Sequence, residues 1–196
     1  IKAVTRVYNG SNVSYYPTRA AFGITPAGAL STAWIYSVGA GNDLIYQYPS
    51  PSPNVEGAAP QIQPTETFPA GGTVWNITAG IGGSPMLVRG GAVQISDVQE
   101  LISINNTTSR PRTAIGYTAS GKMVLLAVEG DNPGAGYLGI NLADLASMLR
   151  SLDCTDAINL DGGGSTSMVI GNRLTVRPGD NGVERPVASA VIIKQR

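Results

Sequence analysis

The stretch "KMVLLAVEGDNPGAGYLGINLADLASMLRSLDCTDAINLD", residues 122–161, decides the fold. It reads as strand, helix, strand. "KMVLLAVE" is an apolar run of strand length. Asn141 stands where a helix N-cap belongs, and Leu142, Leu145, Met148, Leu149 and Leu152 follow at helical spacing. "AINL" is a short buried strand. Such a unit joins parallel strands by a right-handed crossover, so both carboxyl ends lie on one edge of the sheet. The first strand ends at Glu129 and the second at Asp161. As direct neighbours they would stand about 5 Å apart, and two carboxylates would face one crevice.

Just past this unit comes "DGGGSTS", residues 161–167. Gly162, Gly163 and Gly164 are costly inside any regular element, because glycine loses the most backbone freedom on folding. Their use lies in positive φ and close approach: successive N–H groups in such a turn form a nest for an anion. Ser165 and Thr166 add hydroxyl donors, and Asn159 stands at the end of the strand before them. A tight ligand-free connection would use the same residues. The acids and arginine expected nearby favour a site. A Walker A loop is excluded, since no lysine follows the glycines.

Upstream, "RTAIGYT" and "KMVLLAVE" form a hairpin across "ASG". A turn centred on Ala119–Ser120 puts Arg112 opposite Val128 and beside Glu129, where its guanidinium would neighbour both acids. A slip of one residue would send it to the other face. Other hairpins are "RAAFGIT" with "ALSTAWIY" across "PAG", and "PMLVRGGAVQI" with its turn at Gly90–Gly91. Ser96 with Gln99 predicts a capping box opening a short helix, "SDVQELIS". "STSMVI" and "VASAVIIK" read as the last strands. Residues 47–72 are proline-rich and aperiodic, a long loop that decorates the domain or covers a site. "RAAFGITPAG" (19–28) and "RTAIGYTASG" (112–121) share Arg, Ala, Gly, Thr and Gly at identical offsets. The repeat suggests a duplicated half-domain and makes Arg19 the counterpart of Arg112. The fold class is therefore α+β: mixed β-sheets with hairpins, a βαβ unit and few helices.

Composition narrows the chemistry. The 196 residues carry 13 basic and 13 acidic side chains, so no basic surplus points to nucleic acid. No apolar run is long enough to span a bilayer. Histidine is absent, which excludes a Ser-His-Asp triad, a Cys-His pair and a His-ligated zinc site within the chain. The single cysteine, Cys154, reads as a small buried residue. Any metal would be a hard, oxygen-ligated ion, Ca²⁺ or Mg²⁺, and no particular cofactor is called for. Sequons stand at Asn12, Asn76, Asn105 and Asn106.

"GGSPMLVRGG", "RPRTAIGYTASGKMVLLAVEG", "INLADLASMLRSLDCTDAINLDGGGSTSMV" and "NGVERPVASAVII" together resemble the phosphodiester glycosidase family. The likeness runs from about residue 80 to the end, and more loosely from Arg19. It implies one domain over residues 1–196, with the long loop 47–72. The family's usual opening Asn-Gly-Gly-Phe-Phe is missing, and "VYNGSNVSYYP" does not replace it. An N-terminal portion is thus expected elsewhere, as a cleaved part or a separate fragment partnering this one. Glu129-Gly130-Asp131 stands where many members read Asp-Gly-Arg. The resemblance implies hydrolysis of a sugar-1-phosphodiester, such as an N-acetylglucosamine-1-phosphodiester, to free sugar and phosphomonoester. The substrate would be a glycan or sugar phosphate, and the location secreted, periplasmic or cell-surface. Asp161, Glu129 and Arg112 are the catalytic candidates. Asn159, the Gly162–Thr166 loop and Arg19 would bind substrate, joined through the family match by Glu184 and Arg185. A non-catalytic glycan- or phosphoglycan-binding module and a structural cell-surface domain are the competing readings.

Overall fold

The computed structural model describes residues 3–39, 41 and 44–194. In its first half run β1 (Val4–Tyr8), β2 (Ser11–Tyr15), β3 (Arg19–Ile24), β4 (Leu30–Val38), β5 (Leu44–Tyr48), β6 (Thr73–Val74) and β7 (Ala79–Gly82). β8 (Met86–Arg89), β9 (Ala92–Val93), β10 (Arg112–Thr118), β11 (Met123–Val128), α1 (Leu142–Ser151), β12 (Cys154–Asn159), β13 (Val169–Ile170) and β14 (Arg173–Leu174) follow. This is the α+β class expected, rich in strands. β1–β2 and β13–β14 are small separate hairpins. The body is two five-stranded sheets, β6-β5-β4-β3-β7 and β11-β10-β12-β8-β9.

The layers follow from strand alternation. Ala20, Phe22 and Trp34 of the first sheet meet Met86, Ile115 and Ile158 of the second, with Leu160, as one buried cluster. Ala114 and Ala157, which alternate with Ile115 and Ile158, join Leu87, Val88 and Cys154 in a second cluster with Leu142, Leu145, Ala146 and Leu149 of α1. Asn141 caps that helix as expected, its side chain accepting from the Asp144 N–H. Met148 and Leu152, expected in the core, fall off the buried face and are exposed. The expected repeat is visible as two equivalent hairpins, β3–β4 and β10–β11, one in each sheet. Each has its glycine where another residue presses close. A Cβ on Gly23 would stand 2.8 Å from the Trp75 ring, and one on Gly116 would stand 2.7 Å from the Ala157 methyl.

Arg112 pairs with Val128, the register expected from the turn. The crossover skips a strand, however. β11 and β12 are parallel to each other but not adjacent, because β10 lies between them and runs antiparallel to both. The β10–β11 hairpin, a local pairing, takes the position the returning strand was expected to occupy. Glu129 and Asp161 still leave the same edge of the sheet, but their strands are two spacings apart, about 9.5 Å.

Two further expectations give way. Residues 97–101 form a turn rather than a helix. Ser96 does not cap it in the expected manner, because its hydroxyl donates to the Glu100 carboxylate at 2.5 Å. Only Val169–Ile170 of "STSMVI" is strand, and residues 187–194 form none. Val187, Val191, Ile192 and Ile193 are exposed. β-branched composition favours a pleated surface but makes a strand only where a neighbour supplies the ladder.

Candidate functional site

The edge where β10 and β12 finish carries the glycine turn. Leu160 N–H donates to the Thr113 carbonyl at 2.8 Å and Gly163 N–H to the Pro111 carbonyl at 2.9 Å, so the β10–β12 pairing runs on into it. Gly163 has φ +58°, and Gly163–Ser165 close a single 3₁₀ turn. This occupies most of the N–H groups expected to form a nest. Gly162 N–H is held by the neighbouring Asp161 carboxylate at 2.9 Å. Ser165 N–H goes to the Gly162 carbonyl and Thr166 N–H to the Gly163 carbonyl. Thr166 is fully buried, and its hydroxyl meets that of Thr113 at 3.3 Å. The turn is therefore a rigid platform. Side chains standing on it, more than bare backbone, are left to recognise a ligand.

Arg112 is brought to this edge but is only 5 % exposed. Its Nε donates to the Ile140 carbonyl at 3.2 Å. Its Nη1 reaches the Ile104 carbonyl at 3.0 Å, and its Nη2 reaches those of Asn105 at 2.8 Å and Thr108 at 3.1 Å. A guanidinium with its donors spent this way ties a loop to the sheet, where it was expected to neighbour the two acids as a catalytic group. Burial lowers its pKa, and nearby Arg110 acts in the same direction.

Glu129 and Asp161 differ in use. Glu129 Oε2 accepts from the Arg177 N–H at 3.1 Å, which fastens the C-terminal segment to the end of β11. Asp161 is exposed, and its carboxylate bonds only the adjacent Gly162 N–H among the described residues. Asn159 is buried. Its Nδ2 donates to the Ser84 and Leu160 carbonyls at 2.8 and 2.7 Å, while its Oδ1 has no partner among the described residues. Arg19 begins β3 in the other sheet. Burial depresses its pKa, Glu100 opposing that shift and Arg6 adding to it. It thus lies with Glu100 and Arg6, and its link to the glycine turn is indirect: Ala20 next to it bonds Gly83, and Ser84 bonds Asn159.

The C-terminal segment supplies what the glycines do not. Arg185 donates from Nε and Nη2 to the Ser165 hydroxyl at 3.1 and 2.8 Å, and its Nη1 lies 3.4 Å from Asp180 Oδ2. The Ser167 hydroxyl donates to Glu184 Oε1 at 2.6 Å. Glu184 and Arg185 are thus set on the turn by its own serines. Asp180, Ser167 and Arg177 were not legible as site residues. "RPGDNGVER" carries only turn chemistry in sequence, and nothing local says which surface that turn lies on.

Other features lie away from this edge. Among the described residues, no three carboxylate or thiol side chains are grouped to hold a metal ion. A concavity of about 470 Å³ lined by Arg150, Asp153 and Cys154 lies at the opposite end of β12. Cys154 is buried there, and burial raises its thiol pKa, which disfavours the thiolate. A second, of about 460 Å³, is lined by Pro51, Phe68 and Pro69 of the proline-rich loop. No helix among the described residues is long and apolar enough to cross a membrane.

Residues 6–194 match the family model described as phosphodiester glycosidase. Over 112 residues the chain is 37% identical to the N-acetylglucosamine-1-phosphodiester alpha-N-acetylglucosaminidase of Bos taurus, a stretch that is 56% of this chain and 20% of that protein. The Homo sapiens enzyme of the same name is 35% identical over 112 residues, 56% of this chain and 21% of the other. The chain spans about a fifth of the length of these curated relatives. A solved structure, the zebrafish N-acetylglucosamine-1-phosphodiester alpha-N-acetylglucosaminidase catalytic domain auto-inhibited by pro-peptide, is 24% identical. It covers 88% of this chain and 47% of its own, with a TM-score of 0.49. The separate N-terminal fragment expected as a partner finds no support in these matches.

Proposed function

The chain belongs to the phosphodiester glycosidase family, and from that premise we propose that it hydrolyses a sugar-1-phosphodiester to free sugar and a phosphomonoester. The observation that carries the reading is the pairing of an exposed acid with a fixed cation on one turn. Asp161 opens the turn with its carboxylate toward solvent, and Arg185 is held on Ser165 four residues later. The family supplies the reaction class, and the turn supplies groups suited to it.

Water adds at the anomeric carbon, and its proton passes to a carboxylate. The bond from that carbon to the bridging oxygen breaks, and its electron pair leaves on the phosphate. A phosphate monoester is a good leaving group, so a strong general acid is hardly needed. What the transition state requires is stabilisation of the growing negative charge, which Arg185 with the Ser165 hydroxyl is placed to give. Asp161 is the carboxylate assigned to the water or to the oxocarbenium-like centre. Glu129 and Arg112 are positioning residues in this reading: one anchors the C-terminal segment and the other the loop behind the turn. Gly162, Gly163 and Gly164 form the platform, with Thr166 buried beneath it. Glu184 steadies Ser167, Asn159 fixes the approach of Ser84 to the strand end, and Arg19 supports the site from the neighbouring sheet. The substrate class, a glycan or sugar phosphate, and a location outside the cytosol come with the family reading.

The decisive assay uses an aryl or nucleotide-linked sugar phosphodiester. Asp161→Asn is expected to lower turnover by about a thousandfold. Its thermal midpoint should not move, because the side chain is exposed and bonds only its neighbour. Unchanged turnover removes Asp161 from the chemistry. Binding of a sugar phosphate by the wild-type chain, with no product after long incubation, would make it a non-catalytic module.

A further inference from the structure

Between β14 and the C-terminal residues, one turn is folded directly onto the glycine platform. Gly182 N–H donates to the Pro178 carbonyl at 2.9 Å and Val183 N–H to the Asp180 carbonyl at 3.0 Å. Asn181 and Gly182 take φ of 55° and 83°, which closes the turn. Gly179 lies so near that a Cβ there would stand 3.0 Å from the Gly163 carbonyl oxygen. The next residue, Asp180, packs its carboxylate on Gly164, where a Cβ would collide with it. Gly164 does not have the positive φ that would demand glycine. What excludes a side chain there is the carboxylate of Asp180.

That same carboxylate faces Arg185 Nη1 at 3.4 Å, while Nε and Nη2 of Arg185 both rest on the Ser165 hydroxyl. We propose that Asp180 is a positioning residue of the site: lodged against Gly164, it holds the Arg185 guanidinium on Ser165 in the orientation that receives a substrate's phosphoryl group. The proposal rests on the phosphodiester reading above. Arg185 is half exposed, and a long side chain in that position is free to sample many rotamers unless it is tied down. Two ties from different directions fix the guanidinium plane. A carboxylate beside an anion-binding arginine could also act as a competitor for it. An exposed pair at this distance is well screened and withdraws little of the arginine's charge, so ordering outweighs competition.

Two single substitutions break the same contact from opposite sides. Asp180→Ala removes the carboxylate. Gly164→Ala keeps it but evicts it, at little strain, since the obstacle is the far end of a side chain. KM and kcat for an aryl sugar phosphodiester, the inhibition constant of inorganic phosphate and the thermal midpoint are measured for the wild type, both variants and the double variant. Each single variant is expected to lower kcat and to raise the phosphate constant, each by about threefold, because Arg185 is assigned to the charge that grows in the transition state and the tie to Asp180 is an exposed one. The double variant should be no worse than either, because one contact cannot be lost twice. Additive losses, unchanged constants, or tighter phosphate binding in Asp180→Ala each overturn the proposal. Should the wild type turn over no phosphodiester, the reaction assignment falls on its own. Calorimetric phosphate binding, lost non-additively in the same variants, then still upholds the positioning role, and wild-type protein that binds no phosphate defeats it.

Discussion

Arg112 shows how one residue can be correctly placed by sequence and still be put to another use. Its pairing with Val128 follows from the three-residue turn 119–121 and alternation, both of which are local. Its hydrogen-bond partners are backbone carbonyls of residues 104, 105, 108 and 140, which carry no side-chain signature. Bonds from a buried cation to carbonyls are worth more than neutral ones, and their loss strands the acceptors. Arg112→Ala is therefore expected to cost about 3 kcal/mol of unfolding free energy, read by urea titration. Arg112→Lys should recover little of it, because a point charge cannot serve acceptors spread around a planar fork. Asp161 is the opposite case. Its position at the strand end and its exposure both follow from the short apolar run that precedes it.

At the scale of elements, the two sheets are joined by a side chain that reads in sequence as part of a short helix. Glu100 is fully buried. Its carboxylate accepts from Ala20 N–H of β3 at 2.9 Å, Trp34 Nε1 of β4 at 3.0 Å and Met86 N–H of β8 at 2.9 Å. The hydroxyls of Ser84 and Ser96 complete the set. The turn that stands in place of the expected "SDVQELIS" helix carries this carboxylate to all five donors. Glu100→Gln sets an NH₂ against groups that are already donors. It is expected to destabilise the protein by about 4 kcal/mol in chemical denaturation. A loss below about 1 kcal/mol would mean that the sheets are held by their apolar contacts alone. The hairpins, by contrast, were legible because each needs only its own turn and alternation. The strand expected at 187–194 was not settled by composition, since a ladder requires a neighbour that lies elsewhere in the chain.

For the whole molecule, alkaline pH probes the packing of both sheets together. Burial first, and then the bond to Asp156 at 2.5 Å, push the Tyr117 phenol from 10.0 up to about 12. Burial raises Tyr48 to about 12 as well, with Tyr46 and Tyr36 adding to it. A phenol whose folded pKa is raised keeps its full contribution below the unfolded value and loses it as pH climbs toward the folded one. Stability should hold up to about pH 10 and fall between about pH 10 and 12. Thermal midpoints across that range check it. Tyr117→Phe should make the decline shallower, and an unchanged slope would remove Tyr117 as a cause.

The residues alone determined the strand–helix–strand order, the hairpin registers, the helix cap and the acid-then-glycine turn. Each depends on groups a few positions apart, where spacing and turn chemistry act directly. Only the tertiary structure decided that β10 lies between β11 and β12, that Arg112 is spent on loop carbonyls, and that Asp180 and Arg185 stand on the glycine turn. Those outcomes depend on which surfaces meet after the chain has closed on itself. Burial and close approach set them, and at Gly164 the deciding quantity is the room left where a Cβ would be.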